Sequence, residues 1–142
     1  MSLESQTWTW TKEHTFPSDM DVVHSLIEEV IGVVRTDQWS EKDVFALELI
    51  LEEALTNAVK HGNNSDPSKY VRFDCKLNQS TVYVRVQDEG AGFDPYAVPD
   101  PREPENQQAV SGRGVLLIQH FATRVKWSER GTAIELEKDR EQ

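Results

Sequence analysis

The sequence predicts an α+β domain: a mixed, mostly antiparallel sheet with helices on one face, a two-layer sandwich. Three observations predict it. Runs alternating apolar with polar residues come mostly in pairs joined by short turns, as hairpins do. Runs of helical periodicity gather between them. A long aperiodic segment from Gly90 to Gly112 holds most of the prolines, and a domain of this size keeps such a loop when it is functional.

The elements follow in order. "TWTWTKEHTF", from Thr7 to Phe16, alternates and reads as a strand half buried through Trp8 and Trp10. Pro17 and Ser18 then open a helix, "DMDVVHSLIEEVIGVV", with acidic residues in its first turn. Ser40 followed by Asp43 is a variant of the capping box and starts a second helix. That helix runs through "EEALTNAVKHGN" to Gly62, which reads as a left-handed C-terminal cap. "KYVRFDCKL" and "TVYVRVQDE" flank "NQS" as a hairpin, and "GVLLIQHFA" is a short apolar helix opening on Gly-x-Gly. "RVKWSE" and "TAIELEK", joined around Gly131, form a closing hairpin.

With 142 residues the chain reads as one domain, 1–142, with no internal repeat. The formal net charge of −10 disfavours direct nucleic-acid or anionic-membrane binding, so a polyanion would have to enter a local pocket. Cys75 is the single cysteine, which excludes a disulfide framework and a cysteine metal site. Neither a signal peptide nor a membrane span is visible, and a cytoplasmic setting fits best. His14 and His120 lack metal-spaced partners, and His24 reads as a helix-surface or packing residue.

Three stretches carry chemistry. In "EEALTNAVKHGN", Glu53, Asn57 and His61 recur every fourth residue, so at about 100° per residue they line one edge of the apolar stripe. Asn57 offers a neutral oxygen suited to a hard cation such as magnesium. Glu53, one turn earlier, is placed to orient or deprotonate a hydroxyl or a water, and Lys60 or His61 could reach phosphate. In "QDEGAGFD", Asp88 ends a strand and can accept from an exocyclic amine, while Gly90 and Gly92 let a flat ring approach the backbone. In "SGRGVLL", Gly112, Arg113 and Gly114 precede Val115 at a helix N-terminus, where free N–H groups and the dipole favour an anion. Each has a plainer alternative when taken alone: a solvated helix edge, an Asp/Gly turn and a flexible loop ending in a cap.

Taken together and in this order, the three stretches resemble the GHKL (Bergerat-fold) ATP-binding superfamily, and within it the anti-sigma-factor serine kinases of the RsbW and SpoIIAB type. "EEALTNAVKHGN" is similar to that family's N-box, "DEGAGFD" to its first glycine box and "GRGVLLI" to its second, and the resemblance covers nearly the whole chain. It implies that Glu53 is the base activating an acceptor hydroxyl, that Asn57 holds Mg2+ against the ATP phosphates, and that Asp88 binds the adenine amine. Gly90 and Gly92 would shape the ring pocket, Gly112 and Gly114 would let the loop wrap the phosphates with charge from Arg113, and Thr132 would bond on the adenine side. Residues 93–111 would be the ATP lid. Phosphoryl transfer needs positioning and charge neutralisation more than covalent chemistry, so such a set suffices.

The resemblance further implies an anti-sigma factor that sequesters a sigma factor, phosphorylates a serine of a STAS-domain antagonist and forms a homodimer through the exposed sheet edge or the N-terminal strand. The chain departs from the family at Ala122 and Thr123, where members often show Met-Asp; this touches partner recognition rather than the nucleotide pocket. Two alternatives stand beside it. One is a stand-alone histidine-kinase catalytic domain, although no helix here carries a histidine acceptor motif. The other is a non-catalytic module whose grip on a partner ATP controls.

Overall fold

The paired alternating runs become a five-stranded sheet of order β1-β2-β3-β5-β4 in the computed structural model, which describes residues 7–90, 112–128 and 131–141. The strands are β1 (Trp10–Pro17), β2 (Tyr70–Leu77), β3 (Thr81–Gln87), β4 (Arg124–Trp127) and β5 (Ala133–Asp139), and every pairing among them is antiparallel. Strand alternation assigns the faces. Val71, Phe73, Cys75 and Leu77 of β2 and Val82, Val84 and Val86 of β3 are buried in the helix-side core, with Ile134 and Leu136 beside them. The other face carries charge, including Arg85 beside Glu135 and Arg124 beside Glu137.

Three helices, α1 (Met20–Thr36), α2 (Glu41–Thr56) and α3 (Gly112–Phe121), supply the second layer, with α2 packed against both of the others. The expected α+β sandwich is the architecture observed. α1 buries Val23, Leu26, Val30 and Val34, positions spaced by three and four residues as an amphipathic helix requires. Its cap differs from the sequence expectation: Asp19 accepts from the Asp21 N–H at 2.9 Å. Pro17 ends β1, and the Ser18 hydroxyl donates to the Lys69 carbonyl at 3.0 Å.

Ser40 caps α2 as expected, its Oγ accepting from the Asp43 N–H at 3.1 Å. Asp43 itself is buried and turned to tertiary use. Its carboxylate lies 3.3 Å from Lys138 Nζ and accepts from the Glu141 N–H at 3.0 Å, tying the end of β5 to the start of α2. In the β2–β3 turn, Asn78 Oδ1 accepts from the Ser80 and Thr81 N–H groups, both at 2.8 Å. Trp10 packs against the core, whereas Trp8 lies before the strand and meets the Tyr83 ring on the outer face at 6.3 Å between centroids. Cys75 is wholly buried and its thiol is pushed up to about 12, so it behaves as an inert core residue. His24 is exposed on α1. Among the described residues, no helix is long and apolar enough to cross a membrane.

Candidate nucleotide site

α2 does not end on a left-handed glycine. Its last turn widens into a π-helical turn over Asn57–Gly62, closed by the Asn63 N–H donating to the Ala58 carbonyl at 2.9 Å. The left-handed residues come later, at Asn64 (φ 55°) and Ser65 (φ 56°). Gly62 has a different reason to be glycine: a Cβ there would collide with the Asp88 carboxylate. A Cβ on Gly90 would likewise collide with the Gly62 carbonyl. The end of the N-box helix and the turn after β3 therefore touch backbone to backbone, which only glycines allow.

Beside this contact lies a cavity of about 210 Å³. Ala54, Ala58, Val86, Ile118 and Ile134 supply apolar wall, and Asn57, His61, Lys69, Asp88 and Thr132 bring polar groups to it. A cleft that sets placed polar groups against an apolar wall is a form that small-molecule sites take. Asp88 is held there by its own turn. Its N–H donates to the Thr132 carbonyl at 2.9 Å, one step beyond the β3–β5 ladder, and its Oδ1 accepts from the Gly90 N–H at 2.8 Å.

Burial raises the Asp88 carboxyl above the ordinary carboxylate range, opposed by the Gly90 N–H and then by Lys69. Glu53 is also raised, by burial first and Glu52 second, with His61 opposing. His61 moves the other way: burial and Lys60 lower it, and Glu53 opposes. A carboxylate made more basic and a histidine kept neutral at pH 7 suit proton transfer rather than ion pairing.

Asn57, His61, Asp88 and Thr132 thus come together on one cavity, with Gly90 against its floor at Gly62. Glu53 stands one turn before Asn57 and is not among the lining residues; Lys60 is exposed and does not line it either. Gly112, Arg113 and Gly114 open α3, and Val115 behind them is buried. Gly92 and residues 93–111 lie outside the described residues. The set fits a nucleotide: an acceptor for an amine at Asp88, an apolar slot, and the neutral oxygen of Asn57. Among the described residues no group of three or more His, Cys, Asp or Glu could hold a metal, so an ion here would rest on Asn57 and on phosphate oxygens.

The sequence model of the histidine kinase-like ATPase domain matches residues 16–138. The chain belongs to this family. Curated relatives of this ATPase domain include the anti-sigma F factor of Geobacillus stearothermophilus, 28% identical over 110 residues, covering 72% of this chain and 70% of that one. The serine/threonine-protein kinase BtrW of Bordetella bronchiseptica is 28% identical over 101 residues, covering 69% and 70%. The serine-protein kinase RsbW of Oceanobacillus iheyensis is 27% identical over 104 residues, covering 67% and 64%. The alignments thus span about two thirds of the relatives' lengths. The RsbU and RsbW domains of a Mycobacterium tuberculosis protein share the fold, with a TM-score of 0.58 at 13% identity over 93% of this chain and 32% of that one. These names agree with the resemblance read from the three glycine- and asparagine-bearing stretches.

Two residues of the ATPase domain escaped the sequence reading. Lys69 lines the cavity, and Asn63 holds its floor. Asn63 is fully buried; its Nδ2 donates to Ser18 Oγ at 3.1 Å and to the Tyr70 carbonyl at 2.9 Å, and its Oδ1 accepts from the Glu89 N–H at 2.8 Å. One side chain thereby joins the β1–α1 junction, the start of β2 and the turn after Asp88. Its position directly after Gly62 was the available signal, but the three partners are remote in sequence. Asn63→Ala leaves buried donors and acceptors unmet, and is expected to cost about 2–4 kcal/mol, read as a lowered urea midpoint at unchanged slope.

Proposed function

We propose that this domain is an ATP-dependent protein-serine kinase that also acts as an anti-sigma factor, transferring the γ-phosphoryl group to a serine of a STAS-domain antagonist and sequestering a sigma factor. The observation that carries the reading is Glu53: a half-buried carboxyl, made more basic by its surroundings, one turn before the cavity residue Asn57 and outside the cavity lining. That is where a hydroxyl from a second protein would need its base. The names of the relatives support the same class.

Each residue then has a task. Asp88 accepts from the adenine amine, the apolar slot takes the ring, and Thr132 flanks it. Asn57 would hold Mg2+ together with phosphate oxygens, and the ion would neutralise charge on the phosphates. His61, neutral, donates toward the phosphates, and the N-terminal turn of α3 at Gly112, Arg113 and Gly114 presents N–H groups to them. ATP supplies the phosphoryl group. Glu53 takes the proton of the incoming serine hydroxyl as its oxygen bonds to the γ-phosphorus and the bond to ADP breaks, leaving phosphoserine and ADP.

The test is phosphotransfer from γ-labelled ATP by the immobilised protein in a lysate of its own host. An acid-stable label on a small protein is the expected result. An acid-labile label would move the reading to a histidine kinase. ATP binding without any label would leave a nucleotide-gated binding protein and sink the kinase assignment.

A further inference from the structure

The lysine expected near a nucleotide was Lys60, but the lysine of the cavity is Lys69. Its backbone is clamped at the start of β2. The Lys69 carbonyl accepts from both the N–H and the hydroxyl of Ser18, at 3.1 and 3.0 Å, and its N–H donates to the Asp66 carbonyl at 3.1 Å. The next residue, Tyr70, is held by Asn63 through its carbonyl and by the Glu89 carboxylate through its N–H. A half-buried side chain thus projects from a fixed backbone point into the cavity wall. Among the described residues no carboxylate stands within ion-pair distance of its ammonium. A cation sheltered this way retains unused donors, and an acceptor brought by a ligand would satisfy them.

Its place in the cavity says which part of a ligand it meets. Lys69 acts electrostatically on Asp88, and also on Asp66, whose carboxylate already accepts from Ser68. Lys69 and Asp88 line the same cavity, so one ligand can meet both the ammonium and the carboxylate. An acceptor carboxylate beside a donor ammonium complements a ring edge that presents a donor beside an acceptor. Adenine has that edge twice, with its exocyclic amine between N1 and N7. We propose, resting on the reading of the cavity as an ATP site, that Lys69 is a specificity-determining residue: its ammonium donates to the purine ring nitrogen next to the amine that Asp88 accepts from.

Calorimetric titration of ATP, 1-deaza-ATP and 7-deaza-ATP into the wild-type chain and Lys69→Met tests this. Methionine keeps the apolar stem, and the backbone bonds of residue 69 do not involve its side chain, so the fold is expected to persist, with Lys69→Gln as a second variant. The expected result is a loss of about 10-fold or more in ATP affinity, as for a hydrogen bond to a charged group. One deaza analogue, already lacking the contacted nitrogen, is expected to bind wild type and variant equally. An unchanged affinity for ATP, or the same loss with ATP and both analogues, as a phosphate contact would give, overturns the inference alone. A wild-type chain that binds no ATP overturns the nucleotide reading with it.

Discussion

Glu53→Gln is expected to cut phosphotransfer by about 10²–10⁴-fold, the usual contribution of a positioned general base, while nucleotide affinity stays unchanged. The separation follows from placement: Asn57 and Asp88 line the cavity and Glu53 does not. The amide keeps the size of the side chain and removes only its ability to take a proton. A parallel loss of ATP affinity would show instead that Glu53 shapes the pocket. The pH dependence gives an independent check. Burial and Glu52 raise the Glu53 carboxyl from its ordinary 4.5, so the acid limb of the rate profile is expected above that value. His61 opposes the rise, so His61→Gln is expected to move the limb further up. Stability runs with the opposite sign. Between the unfolded and the raised folded value the folded chain binds the extra proton, so its stability falls as pH rises through that window. Glu53→Gln is therefore expected to melt slightly higher than wild type at neutral pH and level with it in acid.

Much of this was legible from local pattern. Alternation in "KYVRFDCKL" and "TVYVRVQDE" assigned the buried face of the sheet correctly, because the strand period is two whatever the surroundings. Ser40 announced α2 since capping is a contact over three residues. Asn57 and His61 meet on one cavity because they share the π-helical turn, while Glu53 stays one turn earlier on α2, outside the lining. What failed depended on contacts between distant segments. Gly62 followed a helical run and so read as a left-handed cap, yet its missing Cβ serves Asp88, which is remote in sequence. Lys60 sat in the right motif but on the exposed side of the π-helical turn, while Lys69 enters from the position just before β2. Asn63 and Asp43 looked like ordinary polar residues at helix ends, and only the fold shows them buried between elements.

Gly62→Ala brings these points to a measurable result. A Cβ at this position meets the end of the Asp88 side chain, and a terminal carboxylate can rotate away more easily than backbone can shift. The substitution is therefore expected to damage the site more than the fold. Displaced Asp88 no longer presents its oxygens to the cavity, and a charged acceptor lost from a ligand amine costs about 1.5–3 kcal/mol, or roughly 10–100-fold in nucleotide affinity. The same loss is expected for Asp88→Ala, where the carboxylate is absent from the start. The pair then supplies its own control. If Gly62 matters only because it leaves room for Asp88, the double variant binds no more weakly than Asp88→Ala, a non-additivity as large as the single effect. The crowding itself disappears in the Asp88→Ala background, so Gly62→Ala should there leave the urea midpoint unchanged as well. Additive losses in affinity would instead assign Gly62 a contact with the ligand through its own backbone, made independently of Asp88.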